Sequence, residues 1–272
     1  MYTVSKRAKE YKQPRGGFLK PSEFKKIKLE NKNELYEVEN ISPGIVGTVV
    51  DYMTRYLNNL CAEKAFSISL SGAKMINMEN IAMDLLSQID GLNEKSIIAA
   101  CKLVGFDTVL RAGKITYRPI EEIKPDQNTI FNIMKMIERT KQFTELYGPI
   151  VLDGITFLGG YTETVISGDA DFMTEDTIWD FKVSKNPIKS FQTLQILMYY
   201  LMGCRAIKLN IEYDFKNKIK NLGIYNPRLN EVYIKCISEI DKSIIEQVEN
   251  EVIGYTDKKG DPWLKNILNN MV

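Results

Sequence analysis

Asp171, Asp180 and Lys182 are the residues of this chain whose types and spacing best suit shared chemistry. They lie in the stretch from Gly168 to Val183. Read as two short strands around the polar Thr174–Thr177, the stretch puts Ile178, Asp180 and Lys182 on one face and Trp179, Phe181 and Val183 on the other. One face is expected to do chemistry and the other to pack. A loop of two residues (Glu175, Asp176) or of four pairs 173 with 178, 171 with 180 and 169 with 182, so that Asp171 faces Asp180 with Cβ atoms roughly 5 Å apart. Like charges so placed destabilise a sheet unless a cation lies between them. Hard oxygen donors on an open strand face suit Mg²⁺ or Mn²⁺. A three-residue loop would instead turn the two aspartates to opposite faces.

Composition narrows the remaining chemistry. The chain has 272 residues, 44% of them hydrophobic, and contains no histidine. Without histidine, Ser-His-Asp and Cys-His catalysis and Cys/His zinc fingers are excluded, and acid–base or metal work falls to Asp, Glu, Lys, Tyr or water. The four cysteines, Cys61, Cys101, Cys204 and Cys236, form no Cys-x-x-Cys pair and are expected to be buried free thiols. The apolar run 196–202 is far too short for the ~20 residues that span a bilayer. The first twenty residues lack the apolar core of a secretory signal, so a cytoplasmic protein with no membrane partner is expected. Net charge is +1, but residues 1–30 hold nine Lys/Arg against three Glu. That imbalance suggests a basic N-terminal arm over 1–40, either solvated and partly disordered or contacting a nucleic-acid backbone.

The elements that must position the acidic pair can be read from periodicity. Ser42-Pro43 looks like a helix cap with proline at the first helical position, followed by apolar residues at helical spacing over 43–64. Gly47 and Asp51 lie on a flank of that helix. Two short helices are expected over 80–90 and 94–104, followed by Gly91 and Gly105 as C-terminal caps, within a helical insertion at about 75–125. A helix-turn-helix DNA reader is the alternative, but its second helix offers a groove little beyond Lys95 and Lys102. A further helix should run from Pro125-Asp126 to Tyr147, burying Ile130, Ile133, Met134, Ile137 and Leu146. Strands are then expected over 150–157, 161–167, 169–173 and 177–183, a helix from Asn186-Pro187 to Met202, strands over 206–213, 222–226 and 231–236, and a helix over 238–253. This order predicts an α/β domain over 41–254, with a central mixed sheet flanked by helices, and a C-terminal tail over 255–272.

An isolated Asp/Glu-x-Lys carries little information, since the chain repeats it elsewhere; Asp214-Phe215-Lys216 is the best decoy. Only Asp180-Lys182 combines a strand, an opposed upstream aspartate and a following helix with Gln192, Gln195 and Tyr199 along one side. Gln195 and Tyr199, four apart, are neighbours on that helix.

Taken together, Gly168-x-x-Asp171, eight residues, Asp180-Phe-Lys182, twelve residues and Gln195-x-x-x-Tyr199 resemble the PD-(D/E)XK nuclease superfamily, in particular its RecB-like branch. The resemblance implies a restriction-endonuclease-like αβββαβ core and Mg²⁺-dependent cleavage of DNA to 5′-phosphate and 3′-hydroxyl ends. It makes Asp171 and Asp180 acidic metal ligands, Phe181 a carbonyl ligand and Lys182 the motif lysine, and it associates Gln195 and Tyr199 with holding DNA or supporting the site. RecB-like enzymes often carry Gly-Thr-x-x-His on the first core helix. Here Gly47-Thr48-Val49-Val50-Asp51 ends in an aspartate, which is either an oxygen ligand or a surface carboxylate. No iron–sulfur cysteine cluster and no phosphate-binding Gly-x-x-x-x-Gly-Lys-Ser/Thr loop is present. An exonuclease is expected, in DNA repair, recombination or phage DNA processing. The alternative is an inactive nuclease-fold protein that binds nucleic acid or serves assembly.

Overall fold

A computed structural model of the chain describes residues 1–30, 34–58, 60–206 and 214–256. In chain order the elements are β1 (Tyr2–Thr3), α1 (Val4–Glu10), β2 (Lys25–Lys28), α2 (Pro43–Leu57), α3 (Ala62–Ala65), α4 (Ser67–Met75), α5 (Glu79–Leu86), α6 (Glu94–Val104), α7 (Asp107–Ala112), α8 (Gln127–Tyr147), β3 (Leu152–Thr156), β4 (Val165–Ser167), β5 (Asp169–Met173), β6 (Thr177–Phe181), α9 (Ser190–Arg205), α10 (Phe215–Lys218), β7 (Asn221–Asn226), β8 (Glu231–Cys236) and α11 (Lys242–Gln247). A π-helical turn over Val248–Ile253 follows.

Among the described residues six strands form one sheet in the order β2-β8-β7-β6-β5-β3, in which only β6 and β7 run parallel. The connection between that parallel pair includes α9, as a crossover requires. Strand alternation divides the core into two layers. Phe172, Trp179, Phe181 and Tyr225 pack with α2, α6 and α8, whereas Ile155, Met173, Ile178, Leu222 and Ile224 pack with α1 and α9. The protein is therefore an α/β fold whose mixed sheet is flanked by helices. Both faces of β6 pack; the face expected to be open lies beneath α9.

Local chemistry accounts for most helix boundaries. The Ser42 hydroxyl accepts the Gly44 N–H (3.3 Å) at the start of α2. That helix stops at Leu57, short of 64, and the Asn58 side chain that follows donates to the Thr54 carbonyl (2.8 Å). Asp126 caps α8 by accepting the Thr129 N–H (2.8 Å), and Gly148, at φ +98°, ends it. Leu146, expected in the core, is 60% exposed; Phe143 is the buried residue of that last stretch. The insertion begins earlier than 75, at α3, and Gly105 is right-handed at φ −54°. Gly105 is there for space: a Cβ would lie 2.6 Å from Ile123 Cδ1 and 2.9 Å from the Lys102 carbonyl. Helix α9 starts at Ser190, where the Lys189 N–H donates to Gln192 Oε1 (2.8 Å). The last helix begins at Lys242, capped by Asp241. The strand expected over 206–213 falls almost entirely outside the described residues, as does the tail beyond 256.

The basic N-terminal segment is not a solvated arm. Val4 and Ala8 of α1 are buried against α9, Phe18, Leu19, Phe24 and Leu29 are buried, and β2 forms the sheet edge beside β8. Its apolar residues, spaced irregularly among lysines, dock it although its charge average suggests solvent. Of the four free cysteines only Cys101 is buried, and Cys61 is exposed. Among the described residues no helix is long and apolar enough to cross a membrane.

Candidate active site

The hairpin has a two-residue tip, Glu175-Asp176, closed by the Thr174 N–H on the Thr177 carbonyl (3.0 Å). Its ladder pairs Met173 with Ile178 and Phe172 with Trp179, the expected register, which carries Asp171 to the level of Asp180. Beyond Trp179 the ladder gives way to a side chain. The Phe181 N–H donates to Asp171 Oδ2 (2.6 Å), while the Lys182 N–H donates to the Tyr225 carbonyl on the β7 side (2.9 Å). The expected pairing of 169 with 182 is therefore not made.

Asp180 is 1% exposed. Its Oδ1 accepts Lys182 Nζ (2.7 Å) and Gln195 Nε2 (3.3 Å), and its Oδ2 has no hydrogen-bond partner. Burial pushes the carboxyl up to about 7, against the pull of Lys182 and with added repulsion from Asp171. For Lys182, burial acts to discharge the ammonium, but Asp180 and Asp171 outweigh it and the net shift is upward. In this metal-free arrangement the two carboxylates hold Lys182 as the ammonium.

Helix α2 brings two further groups. Asp51 faces the hairpin acids, but its Oδ1 accepts Arg55 Nε (2.9 Å) one turn along the helix. Arg55 also lies 3.4 Å from Asp153 Oδ1 on β3 and, through Nη2, 3.8 Å from Asp171 Oδ1. Burial disfavours the Arg55 charge, yet Asp51, Asp153 and Asp171 together raise its pKa. Burial raises Asp51 to about 6, opposed by Arg55 and assisted by Asp171 and Asp153. Burial likewise raises Asp153. Four carboxylates thus surround two fixed cations, leaving a deficit of two positive charges when all are ionised.

Gln195 and Tyr199 are buried. The Gln195 amide donates both to Asp180 and to the Tyr199 hydroxyl (3.0 Å), so both side chains face the acid from beneath. Burial, Asp180 and Asp171 keep the Tyr199 phenol neutral. Neither side chain is presented to a ligand outside. The decoy Asp214 lies just before the short helix α10 rather than on a strand.

Sequence reasoning brought together Asp51, Asp171, Asp180, Phe181, Lys182, Gln195 and Tyr199, and missed Arg55 and Asp153. The Asp51-Arg55 spacing was a visible signal, an i,i+4 pair on one helix, though such pairs are common on exposed helices. Asp153 carried no comparable signal, because only the sheet order sets β3 beside β5.

The donor chemistry suits Mg²⁺ or Mn²⁺: hard oxygens, too few positive charges and a buried Asp180 Oδ2 left without a partner. The arrangement itself is less complete. Among the described residues no three Asp, Glu, Cys or His side chains converge to hold an ion as they stand. Asp51 is turned onto Arg55, and the guanidinium lies among the acids. Comparison of the chain with protein-family models, curated proteins and solved structures gave no match.

Proposed function

We propose that this chain is a Mg²⁺- or Mn²⁺-dependent DNA nuclease with a PD-(D/E)XK core of the RecB-like branch. It would hydrolyse phosphodiester bonds as an exonuclease in DNA repair, recombination or phage DNA processing. The observation that carries this reading is the buried Asp180, bonded to Lys182, level with Asp171 and keeping one carboxylate oxygen unpaired. The succession α2, β3, β5, β6, α9, β7 supports it, being an αβββαβ order with a parallel final pair.

In this reading Asp171 and Asp180, with Asp51 and the Phe181 carbonyl, would hold the metal. A bound divalent ion would supply Lewis acidity toward the scissile phosphate and lower the pKa of a coordinated water. The protein's own groups do the rest. The Phe181 N–H fastens one oxygen of Asp171, leaving Oδ1 for the site. Gln195 orients Asp180 from below. Lys182 would orient the attacking water and stabilise the charge that builds on the pentavalent phosphorus.

Arg55 favours a second reading, an inactive protein of the same fold that binds nucleic acid, since a guanidinium among the acids neutralises the charge a metal would meet. Incubation with Mn²⁺ or Mg²⁺ and linear or closed circular DNA, single- and double-stranded, separates the two. Metal-dependent loss of linear DNA alone, abolished by Lys182→Ala, is expected. Intact DNA under every condition, with binding retained, would transfer the assignment to the inactive protein.

A further inference from the structure

Arg55 is a long, cationic side chain with 17% exposure, and three carboxylates from three different elements meet on it: Asp51 from α2, Asp153 from β3 and Asp171 from β5. Its contacts are graded. The bond to Asp51 is a good one at 2.9 Å, while Asp153 at 3.4 Å and Asp171 at 3.8 Å lie beyond a close charge-assisted bond. Asp153 Oδ1 is left buried without a properly formed hydrogen bond. A guanidinium placed to lock these acids permanently would be expected to fork onto one of them, as Arg228 does onto Glu39 with two bonds of 2.8 Å. Arg55 instead shares its charge among three partners and satisfies one of them well. Asp180 Oδ2, on the next strand, is buried without a hydrogen-bond partner.

We propose that Arg55 is a resident counter-ion that stands in for the divalent cation. It holds Asp51, Asp153 and Asp171 together while the site is empty of metal, and it gives up Asp51 and Asp171 when metal enters. This rests on the nuclease reading of the same site. It explains why the acids do not converge on a point as they stand: Asp51 is held one helical turn toward Arg55. It also makes Arg55 a positioning residue, because it preserves the acidic cluster against its own repulsion in the apo protein. Entry of the ion exchanges one cation for another of higher charge, so the fold need not open.

The test compares Mn²⁺ binding, read by electron paramagnetic resonance of free Mn²⁺ and by the Mn²⁺-induced shift in thermal midpoint, in wild type, Arg55→Gln, Arg55→Lys and Asp180→Asn. If Arg55 competes with metal, Arg55→Gln binds Mn²⁺ at least about tenfold more tightly, since a full positive charge a few ångströms away has gone. Its metal-free thermal midpoint falls and its Mn²⁺-induced shift grows. Arg55→Lys keeps the charge but cannot span three carboxylates, so it keeps the fold and binds Mn²⁺ with intermediate affinity. Unchanged or weaker Mn²⁺ binding in both Arg55 variants, beside wild-type binding that Asp180→Asn abolishes, would overturn the counter-ion proposal and leave the nuclease reading standing. Wild-type protein that takes up no Mn²⁺, or takes it up equally well as Asp180→Asn, would overturn the metal-site reading, and the proposal with it.

Discussion

At the scale of single residues, the site is a problem in charge. Asp180 and Asp51 have folded-state pKa values of about 7 and about 6, above the ordinary carboxylate value of 3.8. The folded protein therefore holds more protons than the unfolded chain between about pH 4 and pH 7, and these groups make stability fall as pH rises through that window. Urea titrations of the metal-free protein at pH 5 and pH 7.5 should show the higher midpoint at pH 5. If the site takes Mg²⁺ as proposed, saturating Mg²⁺ should shrink that difference, because metal binding requires the same carboxylates deprotonated. Gln195 makes a separate prediction. Its amide bonds to Asp180 and Tyr199 and is buried, so on the nuclease reading Gln195→Ala should lower kcat by about 10-fold or more, in the range found for groups that orient metal ligands. DNA affinity measured in Ca²⁺ should not change. A loss of affinity with kcat preserved would instead make Gln195 a contact to DNA.

At the scale of elements, β6 carries the acid and the packing together. Its alternation sends Ile178 and Asp180 toward α9 and sends Trp179 and Phe181 toward α8, where the Phe143 ring meets Trp179 edge-on at 4.8 Å. Trp179 Nε1 also donates to Thr174 Oγ1 (3.0 Å), tying the ring to the hairpin turn. The neighbouring strand makes room for it at Gly223, the register partner of Trp179, where a Cβ would lie 2.2 Å from the indole. Gly223→Ala should therefore cost about 1–3 kcal/mol through overpacking, read as a lower urea midpoint with an unchanged m-value. Trp179 precedes Asp180 on β6 and its ring is tied to Thr174 of the hairpin turn, so on the nuclease reading metal-dependent cleavage should fall further than stability alone explains. The hairpin was legible in the sequence because a polar four-residue stretch and strict alternation leave few registers. The Arg55 cluster was not legible. Its three acids come from α2, β3 and β5, and no local pattern in one element reports what the sheet order places beside it. Asp180 was expected on an open face for a related reason: α9 reads as amphipathic, but the polar Gln195 and Tyr199 on its flank turn inward to the acid.

At the scale of the whole molecule, the site lies at the carboxyl end of β6, in the parallel pair of a described sheet that is otherwise antiparallel. The parallel pair of β6 and β7 is joined through α9, and that helix lies over the face of β6 that carries Asp180. The layer that covers Asp180 is completed from the far end of the chain, since α1 packs on α9 and Thr193 of α9 donates to the Leu19 carbonyl. Charge counting over residues 1–30 pointed to solvent, whereas burial of Val4, Ala8, Phe18, Leu19, Phe24 and Leu29 decides otherwise. Burying a single Leu or Phe side chain is worth about 1.5–3 kcal/mol, and a typical domain has only about 5–15 kcal/mol of net stability. Phe18, Leu19 and Phe24 alone are thus enough to offset the lower part of that range. Deleting residues 1–30 should therefore abolish cooperative thermal unfolding or leave the protein insoluble, since it strips the outer side of α9 and uncovers β8 as an unpaired edge. Replacing Lys6, Lys9, Lys12 and Lys25 with Gln should leave the thermal midpoint nearly unchanged, because surface charges of this kind contribute little to stability. If the deletion instead unfolded with the wild-type midpoint, the segment would be an appendage, and its contacts with α9 and β8 would contribute nothing to the fold that holds Asp180.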